Sequence, residues 1–165
     1  MALRHNTVKI PGTNQLAGRD TVLHAPDVVM LVINNHQQMV LEKQWRVSVN
    51  QFTYEIPAGK IDSRDHHNPR HAALRELNEE VRVKPGKLIP MFENCFYNSP
   101  GCTNEASYFY LATNLIPVQQ KLPRDQGEFM RLQWFTKPQI IDLIQKGQLK
   151  DLQSMVAILD WLNHK

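Results

Sequence analysis

The sequence predicts an α/β fold in one domain, and three observations carry that prediction. The aliphatic run Val28-Val-Met-Leu-Val-Ile33 reads as a strand buried on both faces, and Asn68 to Val81 reads as a capped helix. Two further stretches, Lys137 to Lys146 and Asp151 to Leu162, carry apolar residues at helical spacing, the second through Leu152, Met155, Val156, Leu159 and Leu162. At 165 residues and 42% hydrophobic, the chain is long enough for one compact core.

Residues 1–27 hold Thr7-Val-Lys-Ile10, a Pro11-Gly12 turn and Thr21-Val-Leu23, a short amino-terminal pair of strands. Asp27 to Asn34 and Gln38 to Gln44 read as a hairpin around Asn35-His36-Gln37, and Phe52 to Ile56 as a further strand. Lys87 to Tyr97 and Ala106 to Ala112 are the later strands, with a long polar segment predicted from Asn114 to Glu128, ahead of Phe129 to Phe135. Cys95 and Cys102 match no zinc or redox spacing and read as reduced thiols, a disulfide being the alternative.

The net charge of +3 comes from scattered Lys and Arg, which suits an anionic small molecule and argues against a nucleic-acid partner. No leader pattern opens the chain and its longest aliphatic run is too short to span a bilayer, so a cytoplasmic protein without a membrane partner is expected.

The chemistry concentrates between Gly59 and Val83. Asn68 offers a side-chain acceptor to the first helical amides, and Pro69 at the first position has no amide to leave unsatisfied. At 100° per residue, Arg70, Ala73, Leu74, Leu77 and Val81 share one arc, and Glu76, Glu79 and Glu80 another. Three carboxylates within one turn repel one another. Arg75 can pair with Glu79, but one cation does not balance three anions, and such oxygen donors suit Mg²⁺ or Mn²⁺. A solvated acidic face is the plainer alternative. The histidines at 66, 67 and 71 have no third ligand at metal spacing and read as a solvated loop.

Gly59 followed by Arg75-Glu76-Leu77-x-Glu79-Glu80-x-x-Val83 resembles the Nudix box, and Glu55-Ile-Pro-Ala-Gly-Lys-Ile61 resembles the Glu-Leu-Pro-Ala-Gly-Lys segment of its ADP-ribose pyrophosphatase branch. The chain departs from the pattern twice. The loop is two residues longer, so the first box acid falls on Asp65 counted from Gly59 but on His67 counted back from Arg75. Arg82 stands where the pattern has glycine, in a left-handed position that a Cβ disfavours, which predicts local strain or a shifted helix end.

Covering nearly the whole chain, the resemblance implies an α/β/α sandwich around a mixed sheet, with the short amino-terminal strands crossing to the partner in a homodimer. It implies Mg²⁺ or Mn²⁺ held by Glu76, Glu80 and the Ala58 carbonyl, with Glu79 binding a further ion or orienting water and Arg75 aligning Glu79. Gln44-Trp45-Arg46 resembles the branch's Gln-Tyr-Arg, whose arginine reaches the substrate phosphates; a surface arginine is the alternative for Arg46. Ser99-Pro100-Gly101 through Glu105 matches the branch's Ser-Pro-Gly-x-x-x-Glu, so Pro100, Glu105, Arg46 and Glu55 become candidate substrate contacts. Glu128 is the candidate catalytic base, with Arg131 where relatives carry a second acid.

The implied reaction is hydrolysis of a nucleoside diphosphate linked to another group, with ADP-ribose giving AMP and ribose 5-phosphate as the first choice. A Nudix enzyme for another nucleotide sugar or a nucleoside triphosphate, a binding module of the same fold without catalysis, and a purely structural acidic helix are the alternatives.

Overall fold

The computed structural model describes residues 2–123 and 130–163. Its elements in chain order are β1 (Ala2–Lys9), β2 (Leu16–Leu23), β3 (Asp27–Val32), β4 (Met39–Arg46), β5 (Gln51–Glu55), β6 (Ala58–Lys60), α1 (Pro69–Glu76), a π-helical turn (Leu77–Val81), β7 (Val83–Pro90), β8 (Phe96–Tyr97), β9 (Ala106–Pro117), β10 (Met130–Phe135), α2 (Lys137–Gln145) and α3 (Leu152–Asn163).

The central strand is β3, whose six residues are all buried. Its alternation feeds two cores. Val29, Leu31 and Ile33 face Ile140 and Leu143 of α2 and Ala157 and Ile158 of α3. Val28, Met30 and Val32 face Ala72 and Ala73 of α1 and Leu77 of the π turn. Helices on both faces make this the expected α/β/α sandwich. Each such fully buried aliphatic side chain contributes about 1.5–3 kcal/mol.

The sheet is mixed. β3 pairs antiparallel with β6 and parallel with β9, which in turn pairs antiparallel with β7 and β8. A separate three-stranded sheet runs β10-β4-β5, all antiparallel. The predicted hairpin of β3 with β4 is therefore corrected: the two strands meet only at the Ile33–Met39 bridge and then part. A strand has two edges, and those of β3 are taken by β6 and β9, so β4 pairs elsewhere.

Two other boundaries differ from expectation. β7 starts at Val83, directly after the π turn, with Gly86 inside it, and ends at Pro90 where Lys87 to Tyr97 was expected as one strand. β9 runs on to Pro117, through residues expected to be loop, because β7 reaches back along it from Lys87–Thr113 to Val83–Pro117. Amino-terminal β1 and β2 form their own two-stranded sheet, longer than expected and exposed along most of its length. Cys95 and Cys102 are both free thiols.

Candidate active site

The start of α1 follows from two residues. The Asn68 side chain accepts from the amides of Arg70 and His71, and Pro69 takes the first position. The plainer alternative for this helix fails: its second arc is not a solvated acidic face. Glu76, Glu79 and Glu80 are 8%, 6% and 2% exposed. Three buried carboxylates need compensation, because burial penalises the charged form.

Arg75 supplies much of it. Its Nε donates to Asp65 Oδ1 at 2.9 Å, and one terminal nitrogen donates to Asp65 Oδ2 at 2.8 Å and to the Lys60 carbonyl at 2.9 Å. The other terminal nitrogen donates to Glu76 Oε1 at 2.7 Å and Glu79 Oε2 at 3.0 Å. Five N–H groups meet five acceptors, the full capacity of a guanidinium. This carboxylate-rich setting, led by the bonds to Asp65, raises the Arg75 pKa further above its ordinary value. Burial alone would push the Asp65 carboxyl up, but the bonds from Arg75 and the Asp62 amide outweigh it and hold it below its ordinary range.

This settles the loop's register. Counting from Gly59 is the count that meets Arg75, because Asp65 is 2% exposed against the guanidinium while His67 is exposed. Asp62 caps the intervening 3-10 turn Ser63–Asp65 through the Arg64 amide. The chain then turns back through two left-handed residues, His66 (φ 52°) and His67 (φ 56°).

Gly59 explains where Glu76 can sit. A Cβ built on Gly59 would lie 1.9 Å from Glu76 Oε1, so the carboxylate rests directly on the glycine backbone. Any side chain there displaces it.

The opposite wall comes from the β4-β5 ladder. Glu42 pairs with Glu55, Gln44 with Thr53 and Arg46 with Gln51, and period two puts these six side chains on one face. Arg46 holds Glu55 from Nε at 2.9 Å and 3.2 Å and from a terminal nitrogen at 2.5 Å, and the Thr53 hydroxyl donates a further bond to Glu55. Burial would raise the Glu55 pKa, and the bonds from Arg46 and Thr53 reverse the sign and lower it. Trp45 projects to the other face, edge-on to Phe52 with ring centres 5.0 Å apart.

Between the walls lies a cleft of about 900 Å³ lined by Ala58, Glu76, Glu80, Arg46, Glu55 and Glu105 among others, which brings six of the sequence-predicted residues together. Glu105 reaches it paired with His24 Nδ1 at 2.8 Å. Arg75 and Glu79 are not part of the lining; they sit behind Glu76, Glu79 within 3.9 Å of Arg64 as well. Pro100 is exposed and also outside the lining, on a loop whose Cys102 carbonyl accepts from the Val22 amide. Glu128 lies outside the described residues.

Glu42, 3% exposed and lining the cleft, went unnoticed in the sequence. Its signal was available: a carboxylate two residues after buried Val40, on the same face of the strand and opposite Glu55.

Among the described residues no three His, Cys, Asp or Glu side chains converge to hold a metal ion by themselves. The donor chemistry still fits a hard divalent cation, because Glu76 and Glu80 share the cleft with the backbone of Ala58 and Gly59, where a carbonyl can complete an oxygen set.

Arg82 ends the π turn at φ 67°, in the left-handed region, and its amide donates to the Leu77 carbonyl. Of the two outcomes expected for it, the strain is found and the shifted helix end is not. An L residue pays roughly 1–2 kcal/mol for this conformation.

Comparison with known proteins agrees with this geometry. The family model described as NUDIX domain matches residues 23–156. The chain is 29% identical to an ADP-ribose pyrophosphatase of Bacillus subtilis (strain 168), over 92% of this chain and 79% of that one. It is 28% identical to a methanol dehydrogenase activator of Bacillus methanolicus, over 94% of this chain and 82% of that one. A crystal structure described as an ADP compounds hydrolase superposes with a TM-score of 0.81 at 17% identity, covering 97% of this chain and 83% of that chain.

Proposed function

Because the chain belongs to the NUDIX domain family and is a Nudix hydrolase of the ADP-ribose pyrophosphatase-like kind, we propose that it hydrolyses ADP-ribose to AMP and ribose 5-phosphate in a Mg²⁺- or Mn²⁺-dependent reaction. The observation that carries the proposal is the cleft itself, where a buried acidic helix turn faces an arginine held by a carboxylate. A diphosphate is an anion that repels incoming hydroxide. The divalent cation, when bound, would neutralise that charge and lower the pKa of a water molecule.

The protein's own residues have distinct tasks in this reading. Glu76, Glu80 and the Ala58 carbonyl hold the cation. Arg75, anchored by Asp65, orients Glu76 and Glu79 from behind, and Glu79 binds a further ion or orients water. Arg46 exchanges part of its pairing with Glu55 for the substrate phosphates, a task for which its planar fork is shaped. Glu105, paired with His24 in the lining of the same cleft, binds the remainder of the substrate. Pro100 acts there only through the shape of its loop, since it does not line the cleft. Glu128 serves as catalytic base.

We also assign the protein to the cytoplasm as a homodimer. The β1-β2 hairpin leaves Leu3 and Leu16 74% and 69% exposed, and a two-stranded hairpin is marginal alone. A partner covering it would explain its persistence, and light scattering should give twice the chain mass.

The test of the reaction is AMP release from ADP-ribose with Mg²⁺ or Mn²⁺, run beside nucleotide sugars, dinucleotides and nucleoside triphosphates, with Glu80→Gln as control. ADP-ribose should be the preferred substrate, and the substitution should lower turnover on the order of 10²–10³-fold, the scale of losing one electrostatic stabilising group. Preference for another substrate would overturn the ADP-ribose assignment. Turnover of nothing would leave a binding module, a reading for which Arg82 in place of the box glycine and the enlarged box loop are the motivating observations.

A further inference from the structure

Arg82 occupies a position that glycine fills with less strain, and its side chain is not idle. Its guanidinium donates to the Leu122 carbonyl and, at 3.3 Å, to the Asn78 carbonyl, while the Arg82 carbonyl accepts from the Val118 amide at 3.1 Å. Asn78, one turn earlier, grips the same segment from both sides of its amide: Nδ2 donates to the Gln120 carbonyl at 3.1 Å and Oδ1 accepts from the Leu122 amide at 3.0 Å. Five hydrogen bonds thus involve two residues of one short turn, four of them reaching across to residues 118–122.

The turn they hold is the one that carries Glu79 and Glu80. It is π-helical, a rare geometry found mostly as single turns within α-helices and frequently at functional sites. Its amino-terminal half is fixed by Arg75 and by the packing of Leu77 in the core. Its carboxy-terminal end has the Arg82 amide on the Leu77 carbonyl and the bonds to residues 118–122.

We propose that Asn78 and Arg82 are positioning residues, a brace that straps the π turn to residues 118–122 and thereby sets where Glu79 and Glu80 stand. On this account arginine at position 82 is a functional exchange. The chain accepts a left-handed arginine because the side chain supplies bonds that glycine cannot. The consequence for metal binding rests on the proposed function; the bracing of the turn does not.

The informative variant is Arg82→Gly, which keeps the backbone conformation comfortable and deletes only the side chain. Asn78→Ala removes the other half of the brace, and Arg82→Lys restores a donor within reach of the same carbonyls. Amide hydrogen exchange of the metal-free protein should speed up about tenfold at Arg82 and Leu122 in Arg82→Gly and Asn78→Ala, with substantial recovery in Arg82→Lys. Mn²⁺ affinity, followed by the free-ion electron spin resonance signal, should fall about tenfold in the first two variants, the scale of a lost outer-sphere support.

Unchanged exchange in both variants would overturn the brace, whatever the metal does. Faster exchange with unchanged Mn²⁺ affinity would overturn its role in placing the carboxylates. If the wild-type protein bound no Mn²⁺, the proposed function would fall, and exchange alone would then decide whether the turn is braced.

Discussion

Two arginines are tied to carboxylates at the site, Arg46 in the lining of the cleft and Arg75 behind it, and they differ in kind. Arg75 has its side chain 11% exposed, with all its donors engaged by Asp65, Glu76, Glu79 and the Lys60 carbonyl. Arg46 has its side chain 46% exposed and holds the one carboxylate of Glu55. A buried guanidinium with no donor left over cannot take a new partner without breaking an old one. A half-exposed one can, because water replaces what it releases. Arg75 is a frame for the acidic turn, and Arg46, in the proposed function, is the contact that an anion would use.

The sharpest way to break that contrast is to remove each arginine in turn. Arg75→Ala strands buried carboxylates and should cost about 3–5 kcal/mol in urea unfolding. The mirror experiment, Arg46→Ala, should cost less, about 1–3 kcal/mol, since Arg46 is half exposed and the buried Glu55 carboxylate it leaves behind keeps its bond from Thr53. Its effect should appear in KM for a diphosphate substrate, raised about tenfold, with kcat changed less. Equal stability losses for the two would erase the distinction.

Gly59→Ala probes the frame through its floor. The new methyl must push against the Glu76 carboxylate, so a loss of about 1–3 kcal/mol is expected from overpacking, together with lost activity at unchanged fold by circular dichroism.

Asp65→Asn tests the anchor by pH. At neutral pH it should cost about 1.5–3 kcal/mol, the scale for a charge-assisted bond. The folded-state pKa of Asp65 is depressed, so its contribution is complete above the unfolded value of about 3.9 and disappears as pH falls through the folded value. Stability curves of wild type and variant should therefore converge on acidification below about pH 4. Parallel curves down to the lowest pH would show that Asp65 contributes shape and no charge.

How much of this could be read beforehand follows the range of the forces involved. Asn68 and Pro69 act on their own neighbours, so the start of α1 was legible. The buried alternation of β3 was legible too, because one strand carried both cores. The partners of β3 were not, since adjacency in sequence suggested β4 while β6 and β9 held its edges. The length of β9 was hidden for a similar reason: Asn114 to Pro117 look like loop until β7 is laid beside them.

In the site, Glu76, Glu79, Glu80 and Arg75 were legible as a pattern. That Asp65 would bind Arg75 across a loop of uncertain register was not, because nothing local decides between Asp65 and His67. The left-handed position of Arg82 was legible, but the bonds of Asn78 and Arg82 were not, since their partners at 118–122 lie some forty residues on, as in the bond from Asn78 to the Gln120 carbonyl.

In the proposed function the acidic turn and the Ala58 carbonyl cradle a divalent cation, with Arg75 framing them from behind. Anomalous diffraction from crystals soaked in Mn²⁺ tests it most directly. A peak is expected inside the cleft in contact with Glu76, Glu80 and the Ala58 carbonyl oxygen, lost in Glu80→Gln. A peak elsewhere on the surface, or none beside these oxygens at saturating Mn²⁺, would contradict it.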